Sequence, residues 1–304
     1  MKNKNELVVK SNRLIEASYR LTLAEQRIVL LAITEARRTQ TGLSEANELE
    51  IRATDYAETF NIQENQAYEQ TKEASQTLFH RYVILRGIDP KTGKEDKLTV
   101  RWVSSIRYVD GAGTIYLRFA HDMVPYITRL EKEFTPYRLE KVANMSSPYA
   151  IRMYELLAQW GGIGQREIEL AWLRKILMVE NEYTAIKDLK KRVIDVAISQ
   201  INEFSDLSAS YTQRKTGRVV THLIFSFKPK EESKPEPEKT AAEPKSVKPG
   251  FDKSTATSEE QVIEFLANCE AYKRRYPNTA PHIAWRTPAI WGEFAGAFAE
   301  WQKA

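Results

Sequence analysis

Residues 186–204, IKDLKKRVIDVAISQINEF, combine a basic start with a helical apolar pattern. At about 100° per residue, apolar side chains three or four positions apart fall on one face of a helix. The members of this face are Ile186, Leu189, Val193, Val196, Ala197, Ile201 and Phe204. The pattern therefore predicts an amphipathic helix that packs on a domain through this face.

The outward side of this predicted helix carries its positive charge in the first two turns. We predict that the outward side carries Lys187, Asp188, Lys191, Arg192, Asp195, Ser199 and Asn202. Lys190 lies at the boundary, from which its flexible side chain can reach solvent. Basic residues at a helix start oppose the helix dipole, at a cost of roughly a few tenths of a kcal/mol each. A DNA phosphate would offset that cost, and recognition helices enter the major groove with their N-terminal residues. The alternative interpretation is an ordinary solvated face.

A basic hairpin follows the helix. Residues 207–228, LSASYTQRKTGRVVTHLIFSFK, are typical of two strands that turn near KTG, and they carry Arg214, Lys215 and Arg218. In DNA-binding domains of the winged-helix type such a hairpin is called the wing, and its basic tip contacts phosphates or the minor groove. Helix and hairpin together favour a DNA-binding surface over a merely solvated one.

Upstream segments complete a winged-helix order of helix, strand, helix, helix and hairpin. A helix is predicted at 147–160, with Ser147 as its cap and Pro148 in its first turn. A strand at 166–170 and a helix at 171–179 lead to the basic helix.

The same order occurs earlier in the chain. A helix is predicted at 22–38 with Thr22 as its cap, and the later elements follow in turn. They are a strand at 48–53, a helix at 54–62 capped by Thr54, a helix at 64–80 and a hairpin within 82–109. Both hairpins contain KTG, at 91–93 and 215–217, although a turn favours that glycine in any case. The sequence thus predicts tandem winged-helix domains of the α+β class.

The candidate recognition helix of the first copy is less basic. It exposes a mixed set of side chains, namely Gln66, Glu69, Gln70, Lys72, Glu73 and Gln76. Acids facing DNA phosphates are repulsive, so we expect the first copy to be a weaker DNA reader or a protein-contact domain, with Lys72 as its DNA-binding candidate.

Composition sets the domain limits and the compartment. We predict domain 1 at 1–137, domain 2 at 138–228, a disordered Pro-rich linker at 229–257 and a helical segment at 258–304. The chain has 304 residues, a net charge of +4 and a single cysteine, which excludes an internal disulfide framework. No secretion signal and no apolar run long enough for a bilayer is found, so we expect a cytoplasmic protein without membrane contact.

No constellation of catalytic residues is recognisable. Residues 87–94, GIDPKTGK, approach a phosphate-binding loop, but the glycine spacing is wrong and Glu95 replaces the required Ser or Thr. The four histidines are scattered singly. We therefore predict no catalytic residue, no metal and no cofactor. A DNA-nicking enzyme and a plain winged-helix repressor remain as alternatives.

Three segments resemble the iteron-binding plasmid replication initiators of the RepE and RepA type. They are residues 5–33 (NELVVKSNRLIEASYRLTLAEQRIVLLAI), residues 147–160 (SPYAIRMYELLAQW), and LKKRVIDVAISQINEFSDL followed by KTGRVVTHLIFSF. The resemblance covers roughly residues 5–228 and follows the same order of elements.

The resemblance implies properties that spacing does not show. It implies two closely joined winged-helix domains that bind directly repeated origin DNA as a monomer and recruit host replication proteins and chaperones. It also implies a homodimer through domain 1 that represses its own gene at an inverted repeat. By the same likeness, Lys187, Lys191 and Arg192 belong to the groove-facing helix and Arg214, Lys215 and Arg218 to the wing, whereas the match around Lys72 is loose.

Overall fold

A computed structural model of the chain describes residues 6–44, 47–89, 91–128 and 133–230, together with Leu266 and Cys269. All of these except the last two belong to one compact unit, Met1–Lys234. The buried apolar residues of that unit form one continuous cluster that extends from Val8 to Phe227. The two winged-helix domains therefore share a core.

The helices and strands follow the predicted alternation. The strands are β1 (Leu7–Ser11), β2 (Leu49–Arg52), β3 (Tyr82–Ile88), β4 (Glu95–Arg101), β5 (Val103–Val109), β6 (Thr114–Phe119), β7 (Phe134–Arg138), β8 (Gln165–Glu169), β9 (Leu207–Thr216) and β10 (Val219–Pro229). The helices are α1 (Asn12–Ile15), α2 (Leu23–Thr39), α3 (Ala53–Phe60), α4 (Glu64–Leu78), α5 (Pro125–Thr128), α6 (Glu140–Ala143), α7 (Pro148–Ala158), α8 (Leu170–Ile176), α9 (Ile186–Leu189) and α10 (Asp195–Phe204). A 3₁₀ turn (His121–Met123) precedes α5, and a π-helical segment (Lys190–Ile194) joins α9 to α10.

Helix α2 is the central helix of the first domain, and its cap is the predicted one. The Thr22 hydroxyl accepts from the Glu25 backbone N–H at 3.2 Å, and the Glu25 carboxylate accepts from the Thr22 N–H at 2.7 Å. This reciprocal pair satisfies two N–H groups that have no partner inside the helix. The helix ends where Gln40 adopts a left-handed conformation with φ 58°.

The two domains have the same sheet topology. In the first domain the order is β2-β6-β5, and in the second it is β8-β10-β9, with all neighbours antiparallel. In each sheet the short first strand pairs with the last strand, and the last two strands form the hairpin. Leu49 and Ile51 of β2 are buried and their neighbours exposed, as the alternation predicts. The repeat predicted from the sequence is confirmed.

The first domain has two further pairs of strands. Strands β3 and β4 form a separate two-stranded hairpin between α4 and β5. Strand β1 pairs with β7, so that Leu7–Ser11 lies antiparallel to Phe134–Arg138. The sequence analysis predicted neither β1 nor β7, because their pairing joins segments more than 120 residues apart and leaves no local pattern.

Strand pairing corrects the predicted wing of the first domain. The counterpart of the β9–β10 hairpin is β5–β6, whose turn is 110–113, because β6 pairs with both β2 and β5. The KTG tripeptide at 91–93 belongs to the β3–β4 hairpin, so the two KTG turns are not equivalent.

The predicted cap of α3 is wrong, and that of α7 is confirmed only in position. Helix α3 begins at Ala53, so Thr54 lies inside the helix; the Ala53 N–H donates to the Gly113 carbonyl at 2.8 Å. Ser147 is the N-cap residue of α7 and Pro148 follows it, but the Ser147 side chain makes no cap bond; its backbone N–H donates to the Gln200 side chain at 3.1 Å. The predicted linker at 229–257 and helical segment at 258–304 lie outside the described residues, except for Pro229, Lys230, Leu266 and Cys269.

Candidate nucleic-acid interface

The basic residues of the second domain lie where the helical pattern predicts. Lys187, Lys191 and Arg192 are exposed, and Lys190 is half-buried at the edge of the packed face. Leu189, Val193, Ile194, Ala197 and Ile201 are fully buried beneath them. The outward direction of the cations is confirmed; their contact with DNA stays a prediction.

The structure replaces the predicted continuous helix with α9, a π segment and α10. The Asp195 N–H donates to the Lys190 carbonyl, five residues back, which is the π-helical pattern. The cause lies in the spacing of the core residues. Leu189, Val193, Ala197 and Ile201 recur every fourth position, and in a regular helix each such step turns the side chain about 40° away. The wider π turn reduces this drift, so Leu189 stays buried and Lys191 stays outward.

The wing of the second domain is basic and open at its tip. Strands β9 and β10 are joined at Gly217 and Arg218, and Gly217 has φ 65°, which favours glycine. Arg214 forms an ion pair with Glu167 of β8, so part of its charge is offset. Lys215 and Arg218 are exposed near the turn.

Five cations of this surface have no ionic partner within the described part of the chain. They are Lys187, Lys191, Arg192, Lys215 and Arg218. Phosphate oxygens are the partners that such unpaired Lys and Arg side chains bind in DNA complexes. The helix and the wing of the second domain thus form one basic surface with five unpaired cations, and Asp188 and Asp195 are among the acids exposed on the same helix.

The corresponding surface of the first domain is neutralised. Lys72 of α4 forms an ion pair with Asp110 at the β5–β6 turn, with 2.7 Å between Nζ and Oδ1. Lys72 Nζ also lies 5.9 Å from the Tyr108 ring centroid. Glu69 and Glu73 are exposed on the same helix, whereas Gln70 is half-buried and accepts from the Tyr56 hydroxyl. The electrostatic asymmetry predicted from the sequence is present in the structure.

A buried polar cluster joins the two domains. Lys10 of β1 forms an ion pair with Glu155 of α7 at 2.6 Å, and the Tyr137 hydroxyl donates to the same carboxylate oxygen at 2.5 Å. Burial raises the pKa of Tyr137 well above its usual range, and the Glu155 charge adds to this, so the phenol stays a donor. Arg152 lies 3.7 Å from the Tyr19 ring centroid. These contacts fix one domain against the other.

Three other features find little support among the described residues: a metal site, a phosphate-binding loop and a membrane-spanning helix. No three His, Cys, Asp or Glu side chains within the described ranges are grouped so as to hold a metal ion. The GIDPKTGK segment begins with the last two residues of β3 and continues into the β3–β4 turn, where the Asp89 carboxylate accepts from the Lys91 N–H at 2.7 Å. That bond lowers the pKa of Asp89 and occupies the turn with its own side chain. Among the described residues, every helix is too short or too polar to span a bilayer.

Comparison with known protein families decides which group the chain belongs to. The model of the initiator replication protein WH1 domain matches residues 7–158, half of the chain, and that of the initiator Rep protein WH2 domain matches residues 169–227. The chain belongs to the initiator replication protein family. It is a DNA-binding replication initiator with two winged-helix domains, which confirms the resemblance found in the sequence.

Individual relatives agree with this assignment. An Escherichia coli protein described as an uncharacterized 27.6 kDa protein is 29% identical over 236 residues, covering 75% of this initiator and 98% of the relative. An Escherichia coli replication initiation protein is 28% identical over 230 residues, covering 73% and 69%. The crystal structure of a Pi initiator protein in complex with iteron DNA matches with a TM-score of 0.61 at 23% identity, covering 76% of this initiator and 100% of that chain. At that identity the last match shows the fold alone.

Sequence reasoning missed the residues that connect helix to wing in this initiator. In the second domain the Tyr211 hydroxyl donates to Asp195 at 2.6 Å, and Asn202 exchanges two hydrogen bonds with Ala209. In the first domain, a Cβ on Gly113 would lie 1.9 Å from the Tyr68 ring, so only glycine fits that wing turn beside the helix. No local pattern in the sequence distinguishes Tyr211 and Tyr68 from the other tyrosines of the chain.

Proposed function

We propose that this initiator starts replication at a plasmid origin by binding directly repeated sequences as a monomer, with one winged helix on each of two successive grooves. The main observation behind the proposal is the basic surface of the second domain, with its five unpaired cations. Because five cations there have no ionic partner among the described residues, that domain provides the main grip on DNA. The first domain, with Lys72 already paired, adds a weaker contact.

The DNA-binding candidates divide into two groups by their surroundings. Lys187, Lys191 and Arg192 are placed to enter the groove with the start of the helix, while Lys190 supports it from the boundary. Lys215 and Arg218 at the wing tip are suited to the adjacent backbone, and Arg214 would exchange Glu167 for phosphate. Each cation that replaces a counterion on DNA makes binding fall with salt, by a slope of about 0.9 per phosphate contact.

The direct test is binding to the repeats beside the gene. Duplexes that carry one direct repeat, and matched duplexes with the same bases in scrambled order, are titrated with the full chain at several salt concentrations. We expect preference for the repeat by at least about a thousandfold, as for specific DNA readers in general. Equal affinity for repeat and scrambled duplexes would refute sequence-specific initiation.

We propose further that the initiator acts by binding alone, without cutting DNA. Supercoiled plasmid with the origin is incubated with the chain and magnesium, and the products are separated under denaturing conditions. The plasmid should stay supercoiled and free of covalent protein; a relaxed or protein-linked strand would establish the nicking alternative instead.

Dimerisation and autorepression belong to the same proposal. The β3–β4 hairpin of the first domain, which has no counterpart in the second, exposes Tyr82 and Ile88, with 62% of Ile88 accessible. We propose that this apolar surface supports a homodimer that binds an inverted repeat and represses the chain's own gene in the bacterial cytoplasm. Host replication proteins and chaperones are the further partners that we expect. Loss of repression without loss of plasmid replication in a dimer-deficient variant would separate the two roles, whereas a chain that represses but never supports replication would be a plain repressor.

A further inference from the structure

Hydrogen bonds connect the helix and the wing of the second domain at two points, two helical turns apart. Near the base of the wing, the Asn202 side chain donates to the Ala209 carbonyl at 2.8 Å and accepts from the Ala209 N–H at 2.6 Å. Two residues further along β9, the Tyr211 hydroxyl donates to Asp195 Oδ1 at 2.6 Å. Asn202 and Asp195 lie seven residues apart, which places them on one side of the helix, two turns from each other.

The Tyr211–Asp195 bond is the contact between helix and wing that lies closest to the basic helix start and the basic wing tip. On the helix, Lys191 and Arg192 lie one turn beyond Asp195, and on the wing, Lys215 and Arg218 lie beyond Tyr211. Within the described ranges these four cations have no hydrogen bond or ion pair to hold them. The Tyr211–Asp195 bond is thus the hydrogen bond between helix and wing that lies nearest to both groups of cations.

The same contact lies against the π segment. Asp195 closes this segment, because its N–H donates to the Lys190 carbonyl. Lys190 Nζ lies 5.4 Å from the Tyr211 ring centroid, within the range of a cation–π contact. One tyrosine thus touches both ends of the π segment. Partial burial and the bond to Asp195 raise the pKa of Tyr211, so the hydroxyl remains a donor.

We propose that Tyr211 is a positioning residue for DNA recognition, which holds the basic start of the helix and the basic wing tip at the separation that a groove and its flanking phosphates require. The inference rests on the proposed sequence-specific function. Base readout needs both elements in register, whereas loose attraction to phosphates does not. Loss of the tie should therefore reduce specific binding far more than non-specific binding.

The test uses Tyr211→Phe in the full chain. This change removes only the hydroxyl, and the ring still packs on Phe225, whose centroid lies 5.8 Å away. Tyr126→Phe is the matched control, because it removes a hydroxyl from a half-buried tyrosine of α5 that makes no side-chain hydrogen bond within the described residues. Duplexes selected by the wild-type chain from a randomised pool serve as specific DNA, and the unselected pool serves as non-specific DNA.

We expect Tyr211→Phe to lower the affinity for selected duplexes by about fivefold to tenfold, the size of one lost intramolecular hydrogen bond, with little change for the unselected pool. Amide exchange of residues 212–218 in the DNA-free protein should accelerate, while the thermal unfolding midpoint stays near that of the control. Combining Tyr211→Phe with Asp195→Ala should give less than the product of the single effects, because both break one contact.

Three results would overturn the proposal. They are wild-type affinity of Tyr211→Phe for selected duplexes, an equal loss on selected and unselected DNA, and additive effects in the double variant. A wild-type chain that selects no sequence from the pool is a different failure: it removes the proposed function first, and the positioning role with it.

Discussion

The two winged-helix domains connect helix to wing by different chemistry. In the first domain the connection uses a cation, Lys72, which is bound to Asp110 at the wing turn. In the second domain it uses a neutral hydroxyl, Tyr211, bound to Asp195, and the cations beyond it stay unpaired. A lysine lies over a wing-strand tyrosine in both, 5.9 Å from Tyr108 in the first and 5.4 Å from Tyr211 in the second.

This difference is the physical basis for the two strengths of DNA binding that we propose. A lysine that already has a carboxylate partner must give it up before it can bind phosphate, so its net contribution to DNA affinity is small. The wing turns differ at one position. Gly113 is packed against Tyr68 of α4, whereas a Cβ at Gly217 or at Gly111 would meet nothing within 4 Å. The first wing turn therefore contacts its helix at Gly113, while its Gly111 is as open as Gly217 of the second wing.

The largest expected effect concerns the cluster that joins the two domains. Lys10→Met would leave the buried Glu155 carboxylate without its nearer cation, with only Arg152 Nη1 at 3.9 Å, and removal of one partner of a buried pair costs about 3–5 kcal/mol. Chemical denaturation should show this loss for the whole unit, with Lys97→Met on the exposed β4 strand as the control. A loss confined to one domain, or a loss below 1 kcal/mol on the scale of surface pairs, would contradict a shared core.

The next largest effect separates phosphate contact from base readout. Lys191→Ala should lower DNA affinity, and Lys72→Ala should lower it less because Lys72 is already paired. If Lys191 binds phosphate, the salt slope falls by about one unit; if it reads a base, discrimination loosens by roughly 1–3 kcal/mol. No change in either quantity would mean that this face of the helix is only solvated, and a larger effect at Lys72 would reverse the comparison.

A third prediction concerns the hairpin that only the first domain has. Ile88→Glu should raise the dimer dissociation constant by about tenfold, because an unpaired carboxylate in an interface costs on the order of 1–3 kcal/mol. Ile163→Glu is the matched control in the second domain, since Ile163 is 68% exposed and Ile88 is 62% exposed. Sedimentation analysis would measure both. Equal effects, or a stronger effect at Ile163, would place the dimer contact elsewhere.

The smallest expected effect comes from a substitution that frees Lys72 of the first domain, so that it resembles the unpaired cations of the second. Asp110→Asn removes the carboxylate partner of Lys72 and should raise DNA affinity by roughly twofold to fivefold at low salt. Glu48→Gln offers a control that removes another surface acid of the same domain, paired with Arg107. Affinity measured by anisotropy should rise for the first variant more than for the second. A fall with Asp110→Asn would mean that the tie itself, and not the free lysine, supports binding.

Local patterns in the sequence predict most of the fold but not the side-chain contacts between distant elements. Periodicity gives α2 and the outward direction of Lys191, and the Thr22–Glu25 cap follows from spacing alone. The π segment follows from the buried positions recurring every fourth residue. A helical wheel assumes regular α-helical geometry, so it does not predict this segment. Lys72–Asp110 and Lys10–Glu155 join residues 38 and 145 positions apart, and such pairing depends on the tertiary fold.

The most direct test of the central claim is the salt dependence of DNA binding after neutralisation of the helix start. Lys187→Gln, Lys191→Gln and Arg192→Gln are combined in one full-length chain and compared with wild type on the same repeat duplex. If the second domain provides the main grip, the salt slope falls by about two to three units and affinity drops on specific and non-specific DNA alike. A slope and affinity equal to those of the wild type would contradict the account.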